Sequence, residues 1–138
     1  MWSKNINIQI KILSGIILAN FIAQIPYFFH LYYHKFSDLK RLLNMPMGSV
    51  FALFIIGYIL FVMHKRSGYW LMILFLSMEF SFYLWGAIGS VRHGYGLFFQ
   101  LHNPDLILRI IFAIGYLNLF ASGYFLFLLL YKRNVLIK

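Results

Sequence analysis

Residues 68–90 read GYWLMILFLSMEFSFYLWGAIGS, and this stretch decides the fold. Its single charged side chain is Glu79, near the midpoint. About 20 apolar residues in a helix cross the hydrocarbon core of a bilayer, and a backbone in lipid must satisfy its own hydrogen bonds. The stretch therefore predicts a membrane-spanning helix.

Two similar apolar runs precede this stretch and one follows it. The composition agrees, because 62% of the residues are hydrophobic and 11% are charged, whereas a soluble domain is usually about a quarter charged. We call the segments between the apolar runs joints. In the last joint, residues 91–105, the glycines interrupt the apolar pattern. Asn103-Pro104-Asp105 then marks the start of a helix. We predict an all-α, integral membrane four-helix bundle, one domain over 1–138, with helices at approximately 12–30, 46–64, 68–90 and 106–131.

The basic residues lie between the apolar runs, which indicates topology rather than nucleic-acid binding. The formal net charge is +9. The N-terminal segment, the second joint and the C-terminal tail carry seven Lys and Arg, against five at the other end of the bundle. By the positive-inside rule this count favours two cytoplasmic termini. Richness in Ile, Phe, Lys and Asn suggests an AT-rich genome, which favours a bacterial inner membrane.

A weak internal repeat is visible. Residues 24–28 resemble residues 79–83, and the pairs Lys65-Arg66 and Lys132-Arg133 each follow a pair of apolar runs. Such a repeat predicts two parallel helical hairpins related by an axis along the membrane normal. Chance similarity between aromatic-rich helices is the competing interpretation.

Glu79 is the first candidate functional residue. An ionised carboxylate at this depth costs about 2.5 kcal/mol or more, so it should face the bundle interior. Tyr83, Gly86 and Ser90 lie on the same face of the helix, at steps of four, three and four.

Polar residues on the other helices fall at a similar depth, which predicts a shared buried network. Two interpretations of this network are open. The polar residues could hold the helices together, although polar contacts between membrane helices contribute only about 0.6 kcal/mol on average. Alternatively, Glu79 could bind a proton, a cation or a ligand. The network consists of Asn20, Gln24, Tyr58, Glu79 and Asn118.

A second candidate site lies at the outer end of the bundle. Imidazole and carboxylate ligands suit zinc or iron, but the spacing matches no metal motif, so we expect interfacial histidines and no bound metal or cofactor. Arg109 is either an interfacial anchor that extends outward or an ion-pair partner of Glu79. The outer candidates are His30, His34, His93, His102 and Arg109, with Asp38 and Asp105 as additional ligands in the metal hypothesis.

The residue inventory disfavours catalysis. The chain has no cysteine and three acids, so thiol chemistry and a carboxylate pair in an active site are both disfavoured. We expect a non-enzymatic accessory or interaction subunit of an envelope or transport assembly, in contact with lipids and with a membrane-protein partner or further copies of itself. The alternatives are a small proton- or cation-coupled transporter or channel-forming oligomer using Glu79, and a lipid-modifying membrane enzyme.

Overall fold

The computed structural model describes residues 4–32 and 46–136, except for the side chains of residues 24–32 and 46–49. The described elements are all helical, which confirms the prediction of an all-α bundle. A 3-10 turn precedes the last long helix, and a short helix follows it. The helices are α1 (Lys4–Tyr32), α2 (Pro46–Val62), α3 (Arg66–Arg92), α4 (Leu106–Tyr131) and α5 (Arg133–Leu136), and the 3-10 turn is Phe99–His102.

The first helix begins earlier than the sequence predicts. It starts at Lys4 rather than near Ile12. Polar residues interrupt the apolar run before Ile12, which hides this part from a search for continuous apolar segments. The helix nevertheless continues, and Ile10 is buried in the core. By contrast, α4 covers the same residues as the predicted fourth segment.

Three of the helices are long and apolar enough to cross a membrane. These are Lys4–Ala23 within α1 and the whole of α3 and α4, with mean hydropathies of 1.7, 1.7 and 1.8. Helix α2 has 17 residues, which is the lower end of the range for a spanning helix. The described residues therefore contain three candidate spans and one shorter apolar helix.

A very tight turn joins α2 to α3. His64 adopts a left-handed conformation (φ 58°), and the N–H of Lys65 donates to the carbonyl of Leu60 at 2.9 Å, as in common helix C-terminal motifs. A Cβ atom at Gly68 would lie 2.1 Å from the backbone nitrogen of Phe61. The close approach of the two helices therefore requires glycine at this position.

Aromatic rings fill much of the core between the helices. Helix α2 packs on α3, α3 packs on α4, and α1 packs on α4. The rings of Phe54 and Phe75 lie 5.0 Å apart and those of Phe61 and Phe125 lie 6.4 Å apart. Phe21 brings α1 to within 6.0 Å of Phe75, measured between ring centroids. These contacts do not test the two-hairpin repeat, which stays a prediction.

The joint between α3 and α4 is ordered by turns and a helix cap. Gly94 and Gly96 both have positive φ angles, 76° and 75°, a conformation that glycine adopts without steric cost. The Asp105 carboxylate then accepts a hydrogen bond from the N–H of Ile107 at 2.9 Å. Asp105 is thus the N-cap of α4, where an acceptor satisfies an otherwise unpaired backbone donor.

Candidate functional site

The polar centre of the bundle is the pair formed by Glu79 on α3 and Asn118 on α4. The side-chain amide of Asn118 (Nδ2) donates to Glu79 Oε2 at 2.9 Å. The two side chains are 9% and 0% exposed, respectively. Glu79 therefore faces inward, as an acid in the middle of an apolar helix is expected to do.

A second interhelical hydrogen bond ties α1 to α3. Asn20 Nδ2 donates to the Tyr83 hydroxyl at 2.6 Å, and Asn20 is 1% exposed. A Cβ at Gly115 would lie 3.3 Å from Tyr83 Cε1, so this glycine makes room on α4 for the tyrosine ring. Tyr83 therefore contacts α1 through its hydroxyl and α4 through its ring.

The two hydrogen bonds lie next to each other along the bundle. Tyr83 is one helical turn beyond Glu79 on α3, and Gly115 is one turn before Asn118 on α4, a separation of about 5 Å. Residues from α1, α3 and α4 thus meet in one polar layer. This is the arrangement that the spacing predicts for Asn20, Glu79 and Asn118.

Two buried polar atoms have no hydrogen-bond partner among the residues that the structure describes. These atoms are Asn118 Oδ1 and Ser14 Oγ. A buried polar group left unpaired costs about 1–3 kcal/mol. The neighbouring Ser122 hydroxyl, in contrast, donates to the carbonyl of Leu119 at 3.1 Å. Two buried polar atoms in the described part of the chain are therefore without a hydrogen bond.

Of the other two predicted members of the network, Tyr58 does not join it in the described contacts, and Gln24 is not tested. Tyr58 is partly buried, and its ring stacks on Phe54 at 5.9 Å. The side chain of Gln24 lies outside the described residues. The structure thus brings together three of the five predicted residues and adds Tyr83.

The structure describes the side chains of two of the four histidines predicted for the outer site. His93 and His102 are both exposed in the joint between α3 and α4. The side chains of His30 and His34 lie outside the description, so the metal hypothesis that involves them is not tested. Among the described residues, no group of three His, Asp or Glu side chains converges on one point.

Arg109 turns toward the outer joint. Its Nε and Nη2 atoms donate to the carbonyl of Asn103 at 3.2 and 2.9 Å, and these bonds are exposed. Glu79, for its part, is hydrogen-bonded to Asn118 in the interior. Arg109 is therefore paired with the backbone of this joint, and its role as an interfacial anchor stays a prediction.

Gln100 connects the outer joint to both neighbouring helices, and sequence reasoning missed it. Its Nε2 donates to the Ser90 hydroxyl at 2.9 Å, and the Tyr116 hydroxyl donates to its Oε1. A glutamine within an apolar stretch of a joint was the available signal. The three side chains thus connect the joint to the end of α3 and to the third turn of α4.

An open apolar groove runs along the outer surface between α3 and α4. Its volume is about 430 Å³. A Cβ at Gly123 would lie 2.8 Å from Phe80 Cε2, so the absence of a side chain there shapes the groove. The groove is lined by Phe80, Leu84, Leu119, Phe120, Gly123 and Tyr124.

Comparison of the chain with known protein families, with curated proteins and with solved structures gave no match. The chemistry therefore has to be judged from the geometry alone. One carboxyl group held by a neutral amide can accept and donate hydrogen bonds. In the described network its side-chain hydrogen-bond partner is the amide of Asn118.

Proposed function

We propose that the chain is a multi-pass protein of a bacterial inner membrane, with four crossings and both termini in the cytoplasm. In this proposal it is a non-enzymatic accessory or interaction subunit of an envelope or transport assembly. The observation that carries the proposal is the burial of Glu79 against Asn118. A transported ion or a lipid substrate would have to reach the acid, whereas helix association needs no such access.

The outward surface is then the part of the molecule that meets other molecules. Large apolar side chains face outward on α3 and α4, including Phe82, Trp85 and Phe120, which are 69%, 75% and 63% exposed. Such faces suit lipid chains and the helices of a membrane-protein partner, because packing between membrane helices depends on shape and van der Waals contact. These exposed apolar faces therefore support a structural role in which the chain binds a membrane-protein partner.

The test is the native size of the tagged chain, extracted from its own membranes in a mild detergent. We expect it to migrate on native gels in a complex larger than the chain with its micelle. Glu79→Gln should leave that complex intact, since glutamine preserves the hydrogen-bonding shape of the side chain. A chain that always migrates as a monomer would contradict the proposal.

Substitutions on the outer surface provide the matched comparison. Trp85→Leu and Phe120→Leu keep apolar surface while changing its shape, so at least one should weaken the complex without changing the folded yield. If outer substitutions have no effect and Glu79→Gln abolishes ion flux in proteoliposomes, the transporter alternative replaces our proposal. The two hypotheses thus place the sensitive positions in the interior of the bundle and on its outward surface, respectively.

A further inference from the structure

One end of the bundle carries a group of cations and aromatic rings that the proposed function does not use. Lys65 and Arg66 lie where α3 begins, and Lys132 and Arg133 lie just after α4 ends. We call these four residues, with Trp70, the basic–aromatic cluster. Lys65, Arg66, Trp70 and Arg133 are exposed, and Lys132 is partly exposed.

A buried hydrogen bond fixes the two halves of the cluster relative to each other. The hydroxyl of Tyr69, one residue before Trp70, donates to the carbonyl of Leu129 at 3.0 Å. Tyr69 is 1% exposed and Leu129 is 0% exposed. The start of α3 and the end of α4 are therefore held together by packing and by this bond, so the cluster is built on a rigid support.

Trp70 lies beside two arginines. The guanidinium carbon of Arg133 lies 5.6 Å from the centroid of the Trp70 ring, within the range of a cation–π interaction. Arg66 precedes Trp70 by four residues in the same helix, so the two side chains share a face. An arginine over an aromatic ring keeps the N–H groups at its edge free for bidentate contacts with an anion.

No carboxylate of the described residues neutralises this end of the molecule. Glu79 is 13 residues beyond Arg66 on α3, about 20 Å along the axis. Asp105 caps the opposite end of α4. The cluster therefore has four formal positive charges and a half-exposed indole at one end of two apolar helices.

We propose that Arg66 and Arg133, beside the ring of Trp70, bind the phosphodiester headgroup of an anionic phospholipid. The inference rests on the proposal that α3 and α4 span the membrane with this end toward the cytoplasmic leaflet. Anionic lipids give that leaflet a negative potential that attracts basic segments, and tryptophan accumulates at the level of the headgroups. The charge of the cluster, its ring and its position at a helix end all fit this occupant.

The experiment compares lipid binding by purified full-length chain in detergent. Native mass spectrometry would count bound phosphatidylglycerol and phosphatidylcholine, which share acyl chains and differ in net charge. We expect wild-type chain to prefer phosphatidylglycerol, and Arg66→Gln or Arg133→Gln to reduce the preference about fivefold each. Arg92→Gln, at the far end of α3, is the matched control and should change it by less than about twofold.

Further variants separate a built site from general attraction. Trp70→Leu keeps all four charges and removes the aromatic support, so a reduced preference supports the site. The proposal is overturned if wild-type chain binds both lipids equally, or if Arg92→Gln lowers the preference as much as Arg66→Gln does. It is also overturned if millimolar inorganic phosphate displaces the lipid, because the site would then take free phosphate.

Membrane insertion is checked separately by alkaline carbonate extraction of whole membranes. If wild-type chain stays in the pellet but shows no lipid preference, the headgroup site fails while the membrane assignment survives. If carbonate releases the wild-type chain, the spanning arrangement fails, and the headgroup proposal fails with it. Loss of a native complex, in contrast, affects only the proposed association.

Discussion

The hydrogen bond between Glu79 and Asn118 can be tested by a double-mutant cycle. Asn118→Leu removes the donor but leaves the buried carboxyl of Glu79 without a partner. Glu79→Met removes the acid and leaves the buried amide of Asn118 unpaired. The double variant replaces both groups by apolar side chains of similar size, so neither polar group remains buried.

The expected magnitudes follow from the burial of the two side chains, 9% and 0% exposed. Each single substitution should lower the free energy of unfolding by about 1–3 kcal/mol, because it leaves one buried polar group unsatisfied. The double variant should be less destabilised than the sum of the two single variants, because neither polar group is then left buried alone. The coupling energy should be about 0.6–1.7 kcal/mol, the range known for hydrogen bonds between membrane helices.

Reversible unfolding in lipid bicelles, followed by steric trapping or by titration with a denaturing detergent, measures these free energies. Phe120→Leu is a suitable control because Phe120 is 63% exposed on the outer surface of α4. Strictly additive single substitutions would refute the reasoning, because the two side chains would then not interact. A Glu79→Gln variant that unfolds readily would also refute it, since the amide can still accept from Asn118.

Three further predictions concern packing and topology. Gly68→Ala should destabilise the chain by about 1–3 kcal/mol, because the new Cβ would meet backbone atoms of α2. Gly86→Ala should instead stabilise it by up to about 1 kcal/mol, because no atom lies within 4 Å of the new Cβ. Thermal unfolding in detergent compares the two variants. Reporter fusions at Ser67 and at Lys138 should both report cytoplasm. Gln100→Leu should increase hydrogen exchange in the outer joint while leaving the bundle folded, as mass spectrometry can show.

Each of these predictions has an outcome that contradicts it. Equal melting temperatures for the two alanine variants would mean that the turn between α2 and α3 is looser than the geometry at Gly68 indicates. A periplasmic signal from either fusion would overturn the proposed topology. Unchanged exchange in the joint of the Gln100 variant would show that other contacts hold it in place.

The sequence predicts the helices well where the apolar pattern is continuous. Residues 68–90 and 106–131 correspond to α3 and α4, because uninterrupted apolar residues leave no alternative to a helix in lipid. Helix α1 extends to Lys4 through alternating polar and apolar residues, which a search for apolar runs does not recognise. Helix α2, by contrast, ends at Val62, two residues before the predicted end at 64, so an apolar run predicts the existence of a helix better than its ends.

Three of the five residues predicted for the candidate network lie in one layer of the bundle, but the sequence did not predict all of their contacts. Depth and helical phase place Asn20, Glu79 and Asn118 in one layer, because each lies near the middle of its segment. Neither depth nor phase determines which helices are neighbours, so the bond from Asn20 to Tyr83 could not be foreseen. Gln100 was missed because its partners, Ser90 and Tyr116, lie on two different helices and come together only in the folded bundle.

The unequal lengths of α2 and α3 have a consequence for the surrounding bilayer. Helix α2 has 17 residues and α3 has 27, or about 26 and 40 Å at 1.5 Å per residue. The turn between α2 and α3 holds the two helices level at one end, so the described part of α2 stops short of α3 at the opposite end. In a hydrocarbon layer of about 30 Å, hydrophobic mismatch should thin the leaflet beside α2 at that opposite end. Once inserted as we propose, the chain should therefore thin its membrane on one flank of the bundle.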